Sequence, residues 1–267
     1  MELPGAIRHA ALFPESDLFD FPPGHPTRRI EVEGVHVTLL TTQPVGLVFP
    51  RRVEESRIEY LVEAVRRSLV LEGRERAMWM VPEASVPEGL AQQLRALGMR
   101  PNDQPGAEAR EALMVCLQEP PPGPLDIVVR PAQELDEYRA ALLVVPEAFG
   151  MDERARKAFD EQAELLWPFQ FETGTVQTFV ALLDGEVVGF AGARFGRTTA
   201  YLAGGGTRPD YRGRGAYRAL VRARWDAASA RGTPVLTVSA GSMSRPILER
   251  LGFATVGWSD SLLDELG

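Results

Sequence analysis

The chain has 267 residues, 25% of them charged, and a formal charge of −8 at pH 7, the make-up of a water-soluble globular protein with one large domain or two ordinary ones. No run approaches the roughly 20 apolar residues of a membrane span, and Met1 to Phe21 lacks the basic start and apolar core of a signal peptide. The acidic balance argues against a nucleic-acid surface, and a single cysteine excludes an internal disulfide or a multi-cysteine zinc site, so no metal is expected and the cytoplasm is the default setting.

In chain order, Phe19 to Pro26 reads as an irregular arm. Val35 to Phe49 is strand material closed by Pro50, and Ile58, Leu61, Val62 and Val65 recur at helical spacing. Ala77 to Val81 reads as a strand, Leu90 to Met99 as a short helix ending in Leu-Gly-Met. Ala112 to Leu117 is a buried strand in which Cys116 is a core thiol. Gln118-Glu-Pro-Pro-Pro-Gly-Pro124 is a stiff connector, and it divides the chain into residues 1–124 and 125–267.

Beyond the connector, Ile127 to Pro131, Thr178 to Gly192, Ala200 to Thr207 and Val235 to Ser239 read as a strand, a hairpin and two further strands. Leu165-Leu-Trp-Pro-Phe-Gln-Phe171 stands before the hairpin; its aromatic residues form either a wall for a substrate or a plug between the two halves.

The most informative stretch is Arg208-Pro-Asp-Tyr-Arg-Gly-Arg-Gly-Ala-Tyr-Arg-Ala-Leu-Val221, where a strand enters a glycine turn that opens into a helix. Tyr217, Leu220, Val221 and Trp225 give that helix one buried face, with Arg218, Arg222 and Arg224 expected mainly on other faces. Free N–H groups and the positive end of the helix dipole meet at the turn, as a phosphate or pyrophosphate site requires. Seven arginines against two aspartates between Arg208 and Arg231 make a local basic patch suited to a small anion. A P-loop needs Gly-Lys-Ser/Thr where Tyr217-Arg218 stands, and a Rossmann turn wants glycine in place of Arg218.

From about Asp126 to Trp258 the sequence resembles a GCN5-related N-acetyltransferase (GNAT) domain. The family's Gln/Arg-x-x-Gly-x-Gly/Ala signature is met by Arg212-Gly-Arg-Gly215-Ala-Tyr217, with Tyr in the last small position, and Pro246 to Phe253 matches the closing helix and strand start. The resemblance implies acetyl-CoA as co-substrate. The fourth and fifth strands would splay apart, with pantetheine against Gly205 and Thr207. The pyrophosphate would sit on Arg212, Gly213, Arg214, Gly215, Ala216 and Tyr217. The sequence departs from the family at the general acid: the place of its tyrosine falls on Leu248, which transfers no proton. The fourth strand offers Tyr201 but no carboxylate base. Tyr201, Ser242 and Ser244 are the remaining catalytic candidates, with Tyr217 or water as further sources of a proton for the departing thiolate; Glu147, Asp152, Glu153 and Glu172 flank acceptor-side segments.

The first half repeats the same order. Pro50 to Leu61 spans 11 residues, as does Pro209 to Leu220, and Leu97-Gly-Met parallels Leu251-Gly-Phe. Glu54 and Glu55 stand where the second half has Gly213 and Arg214, and two carboxylates at a helix start repel phosphate. The expectation is an α/β protein of two tandem GNAT-like domains, each a twisted mixed sheet flanked by helices, with a degenerate first domain that does not hold CoA. The expected activity is transfer of an acetyl group to a primary amine of a small molecule, with no nucleic-acid or membrane partner. An acyl-CoA sensor without turnover is the alternative, and a protein N-terminal or lysine acetyltransferase a third. No motif specifies an oligomeric state.

Overall fold

The computed structural model describes residues 2–40, 43–104, 106–172 and 174–267. In the first half these form helix α1 (Gly5–Leu12), strands β1 (Arg28–Val32), β2 (Val35–Leu39) and β3 (Val45–Phe49), helix α2 (Ile58–Leu71), β4 (Arg76–Pro82), α3 (Leu90–Ala96), the short β5 (Arg100–Pro101) and β6 (Arg110–Cys116). The second half continues with β7 (Ile127–Pro131), α4 (Leu135–Phe149), α5 (Glu153–Leu166), β8 (Val176–Leu183), β9 (Glu186–Phe195), β10 (Ala200–Tyr201) and β11 (Gly205–Thr207). It closes with α6 (Ala216–Ala230), β12 (Leu236–Ala240), α7 (Arg245–Arg250) and β13 (Ala254–Glu265).

Each long helix lies where its apolar stripe puts it. In α2, Ile58, Leu61, Val62, Val65 and Leu69 are buried; in α6, Ala219, Leu220, Val221, Trp225 and Ala228 are. The two halves repeat one plan. An antiparallel run β1–β2–β3 leads through α2 to β4, which is parallel to β3; likewise β8–β9–β10 leads through α6 to β12, parallel to β10. β7, α4 and α5 have no counterpart in the first half. Strand β1 carries no sequence signal because it is an edge strand with none of its five residues buried, so it lacks the apolar alternation that marks β2.

The sheets of the two halves join into a single one, ordered β1-β2-β3-β4-β13-β6-β12-β10-β9-β8-β7, and the halves exchange a strand at the seam. β13, from the second half, lies between β4 and β6 of the first; β6, from the first half, lies between β13 and β12 of the second. The cores record the exchange. Ala112, Met114 and Cys116 of β6 pack in the cluster beneath α6, and Leu262 of β13 packs in the cluster beneath α2. Residues Ala112 to Cys116 form an unbroken apolar run because a strand at the centre of the sheet is covered on both faces.

The segment before β1 lies against the second half. Ala11 of α1 packs with Val115 and Val235. Asp17, 7% exposed, accepts the N–H and hydroxyl of both Thr198 and Thr199, and a Cβ on Gly196 would stand 2.3 Å from its Oδ2. His25 stacks on Phe21 and meets the edge of Phe169, each at 4.7 Å between ring centres. Phe169 therefore seals the arm of the first half to the second, while Trp167 packs within its own half on Tyr138 and Phe171.

Candidate active site

Strands β10 and β12 are parallel partners only at Ala200 with Leu236 and Tyr201 with Thr237. One further bond, Leu202 N–H to the Thr237 carbonyl at 2.8 Å, ends the ladder, and β11 then pairs with β9 alone. A gap opens between β11 and β12 from that point. Arg208 donates its N–H to Val188, so the alternation of an antiparallel ladder turns the main-chain groups of Thr207 and Gly205 away from β9, towards the gap. The Thr207 hydroxyl is buried and makes no hydrogen bond among the described residues.

At the head of the gap, α6 begins at Ala216 behind Gly215, which has φ of +88° and offers no side-chain cap; the first turn holds no acidic residue. Among the described residues, the N–H groups from Gly213 to Arg218 meet no protein acceptor, the first closing bond being Ala219 N–H to Gly215. Gly213 has φ of +78°, and a Cβ there would meet nothing within 4 Å. Gly215 answers to a different demand: a Cβ would come within 2.6 Å of Pro124, because the proline connector runs along α6 and is strapped to it by Arg222 through Pro120 and Glu119. Arg212 is held by the Ala148 carbonyl at 2.5 Å, and Arg214 lies over the Tyr211 ring at 5.4 Å. Arg214 and Arg218 are exposed and form no ion pair among the described residues, leaving two cations beside the open amides. Arg208 is neutralised by Glu147 and Glu186.

Arg224 departs from the sequence expectation. It is 1% exposed, inside the core rather than on an outer face. Its guanidinium donates to the carbonyls of Gly192 and Gly204 at 3.2 and 3.1 Å, while Nη2 has no partner among the described residues. Desolvation lowers its pKa to about 10, partly offset by the neighbouring Tyr217. Tyr217 leans over Gly205, where a Cβ would sit 3.3 Å from its ring. Arg224 thus braces, from below, the irregular segment at which the fourth strand breaks. Its spacing of seven from Tyr217 and four from Leu220 puts it on the buried stripe, a signal the sequence does contain.

The opposite face of the sheet carries a separate polar group. Ala200 and Leu202 of β10, Leu236, Val238 and Ala240 of β12, and Ala112, Met114 and Cys116 of β6 all join the cluster under α6. By alternation Tyr201, Ser239 and Glu111 share the other face. All three are partly exposed. Burial raises the Tyr201 phenol, and the charge of Glu111 adds to the rise. Burial first, and the charge of Glu108 second, push the Glu111 carboxyl up to about 7. Arg194, directly across the ladder from Tyr201, is lowered to about 10 by desolvation.

The remaining candidates have structural partners. Ser242 donates its hydroxyl to Glu108 at 2.6 Å, and Ser244 reaches the Gly241 carbonyl at 3.5 Å. Leu248 is fully buried in the core. Glu147 is paired with Arg156 and Arg208, Asp152 caps α5 through the Ala155 N–H at 2.9 Å, and Glu153 and Glu172 are exposed.

The matching place in the first half is shut. β3 and β4 stay paired over four residues, from Val45 with Arg76 to Val48 with Trp79, and Arg52 then bridges to Val86. Mutual bonds between Val53 and Val86 and between Val86 and Arg51, both 2.8 Å, zip the region where the second half has its gap. A helical turn with exposed Glu54 and Glu55 precedes α2.

Residues 142–253 match the model of the acetyltransferase (GNAT) family. That stretch is similar to the GNAT family, and the whole chain has the tandem GNAT fold. A GCN5-related N-acetyltransferase from Kribbella flavida superposes with a TM-score of 0.69 at 18% identity, covering 98% of this chain and 96% of that one. A tandem GNAT protein from the clavulanic acid biosynthesis pathway gives 0.61 at 15%, covering 99% and 89%. A GCN5-related N-acetyltransferase from Sphaerobacter thermophilus gives 0.62 at 17%, covering 98% and 92%. No curated protein matches the chain significantly. The GNAT fold is one that supports acyl transfer. Among the described residues no helix is long and apolar enough to cross a membrane.

Proposed function

We propose that the chain moves an acetyl group from acetyl-CoA to a primary amine of a small molecule. One observation carries the reading: open amides from Gly213 to Arg218 stand at the head of a gap whose other wall presents the main chain of Gly205 and Thr207. A diphosphate fits the first and an amide-bearing arm such as pantetheine the second. Arg214 and Arg218 supply charge, and the main chain beside β11 would polarise a thioester carbonyl. The division into a donor-binding unit at 125–267 and a supporting unit at 1–124 is part of this reading. So is a small acceptor, because the arm from Phe13 to Thr27 and the turn at Phe169 cover the sheet face that Tyr201 occupies.

The alternative is an acyl-CoA sensor, favoured by Leu248 in the place of the family's acid. Steady-state thiol release across a diverse amine panel separates the two: turnover with any amine establishes the enzyme, and calorimetric binding of acetyl-CoA without turnover establishes the sensor. Glu55→Gly leaves affinity unchanged if the second half alone binds the donor.

A further inference from the structure

We propose that Glu111, carried by the exchanged strand β6 into the second half's sheet, is the base that takes the proton of the acceptor amine. The proposal rests on the acetyltransferase reading above. Ala240 of β12 pairs with Ala112, so Glu111 stands level with Gly241, past the last contact of β10 with β12 and one strand beyond β12 from the gap. Its side chain shares a sheet face with Tyr201 and Ser239. β10 and β12 bring no carboxylate of their own to that face. The first half supplies a carboxyl there, Glu111, which burial and the charge of Glu108 push up to about 7.

In the step, the carboxylate of Glu111 accepts a proton from the amine, directly or through one water, as nitrogen bonds to the thioester carbon. The C–S bond then breaks, the electron pair leaves with sulfur as thiolate, and the carboxyl returns its proton to the thiolate or to water. Atoms and charge balance without a further reactant.

The surroundings set the titration. Glu108 opposes ionisation of Glu111, and Tyr201 on β10 is neutral at pH 7. Arg194 on β9 and Glu15, paired with Arg51 at 2.7 Å, also act on Tyr201. From β13, Ser259 pairs with Glu111, and Asp260 is bonded to Arg95. Neighbouring Arg110 pairs with Glu83 and stacks on Trp258. Helix α1 turns Ala10 and Ala11 inward and leaves Arg8 and His9 in solvent.

The test joins kinetics with a readout that needs no turnover. Glu111→Gln is expected to lower kcat about 100-fold or more, leave KM for acetyl-CoA unchanged and abolish the rise of kcat through pH 7. Glu108→Gln is expected to move that rise to lower pH, since a repelling charge is lost. In carbon-13 spectra of glutamate-labelled protein, one carboxyl should titrate near pH 7 and vanish in Glu111→Gln. Retention of kcat and of the pH limb in Glu111→Gln, or no glutamate titrating above pH 6, overturns the proposal while the acetyltransferase reading stands. Absence of turnover by the native protein with every amine overturns both.

Discussion

Glu108 accepts both the main-chain N–H and the hydroxyl of Ser242, at 2.9 and 2.6 Å. The two residues come from different halves, and a Cβ on the intervening Gly241 would collide with the Glu108 side chain. The loop that follows β12, at the mouth of the gap, is therefore shaped by the first half. Trp258 strengthens the seam, with the guanidinium groups of Arg110 and Arg245 each 5.3 Å from its ring. The first half thus shapes a loop of the second.

The strand exchange predicts mutual dependence. Residues 125–267 expressed alone lack β6, which leaves facing edges of β12 and β13 unpaired and uncovers the apolar side of the core that Met114 and Cys116 fill. The fragment is expected to aggregate and to become soluble when co-expressed with residues 1–124. Size-exclusion chromatography of both preparations checks this; a monomeric, folded fragment contradicts it.

At the turn before α6 the two glycines are expected to behave differently. Gly213→Asp and Gly213→Asn both place a side chain in open space at positive φ, and they differ in charge alone. Titration calorimetry should show the aspartate variant binding acetyl-CoA about tenfold more weakly than the asparagine one, or about 1.4 kcal/mol. Gly215→Ala meets Pro124 and an unfavourable φ, so it should lower stability by about 1–3 kcal/mol in a urea titration.

Arg224→Met keeps much of the buried volume but leaves the carbonyls of Gly192 and Gly204 without their donor. A loss of about 1–3 kcal/mol in unfolding free energy is expected from unsatisfied buried groups. Acetyl-CoA binding should weaken as well, because the break between β10 and β11 loses its brace. Unchanged affinity would refute that role.

Asp17→Ala removes the acceptor for two N–H and two hydroxyl groups of the Thr198–Thr199 turn. Charge-assisted bonds of this kind predict a loss of about 2–3 kcal/mol, and Asp17→Asn a smaller one. Chemical denaturation of the three proteins at one pH gives the comparison.

Glu137 is held at a pKa of about 2 by its hydrogen bonds and ion pair with Arg130, with a further bond from the Gln133 N–H. A depressed folded-state pKa means that the pair stabilises the protein fully above the ordinary glutamate value of 4.5 and loses its effect as pH falls towards 2. Glu137→Gln should therefore be less stable than the native chain at pH 6, with the difference shrinking below pH 4. Thermal melts across that range decide it.

Most of the fold was legible in the sequence because its signals are local. Helical spacing at Ile58, Leu61, Val62 and Val65 marks α2, and the strand from Ile127 to Pro131 appears with the bounds expected. The glycine turn before Tyr217 declares a helix start with free amides. The buried place of Arg224 was also within reach, since its spacing sets it on the apolar stripe; its charge spoke for the surface, and packing overrode that preference.

The sequence by itself determined elements with a local apolar period, such as α2 and β7, and a glycine turn before α6 where the first half has Glu54 and Glu55. Only the tertiary structure decided that β6 and β13 change places, that β3 and β4 stay zipped, and that Glu111 shares a sheet face with Tyr201. Periodicity along a chain reports which face of a strand is apolar. It carries no record of the neighbour to which that strand's edges bond, because any extended backbone offers the same donors and acceptors.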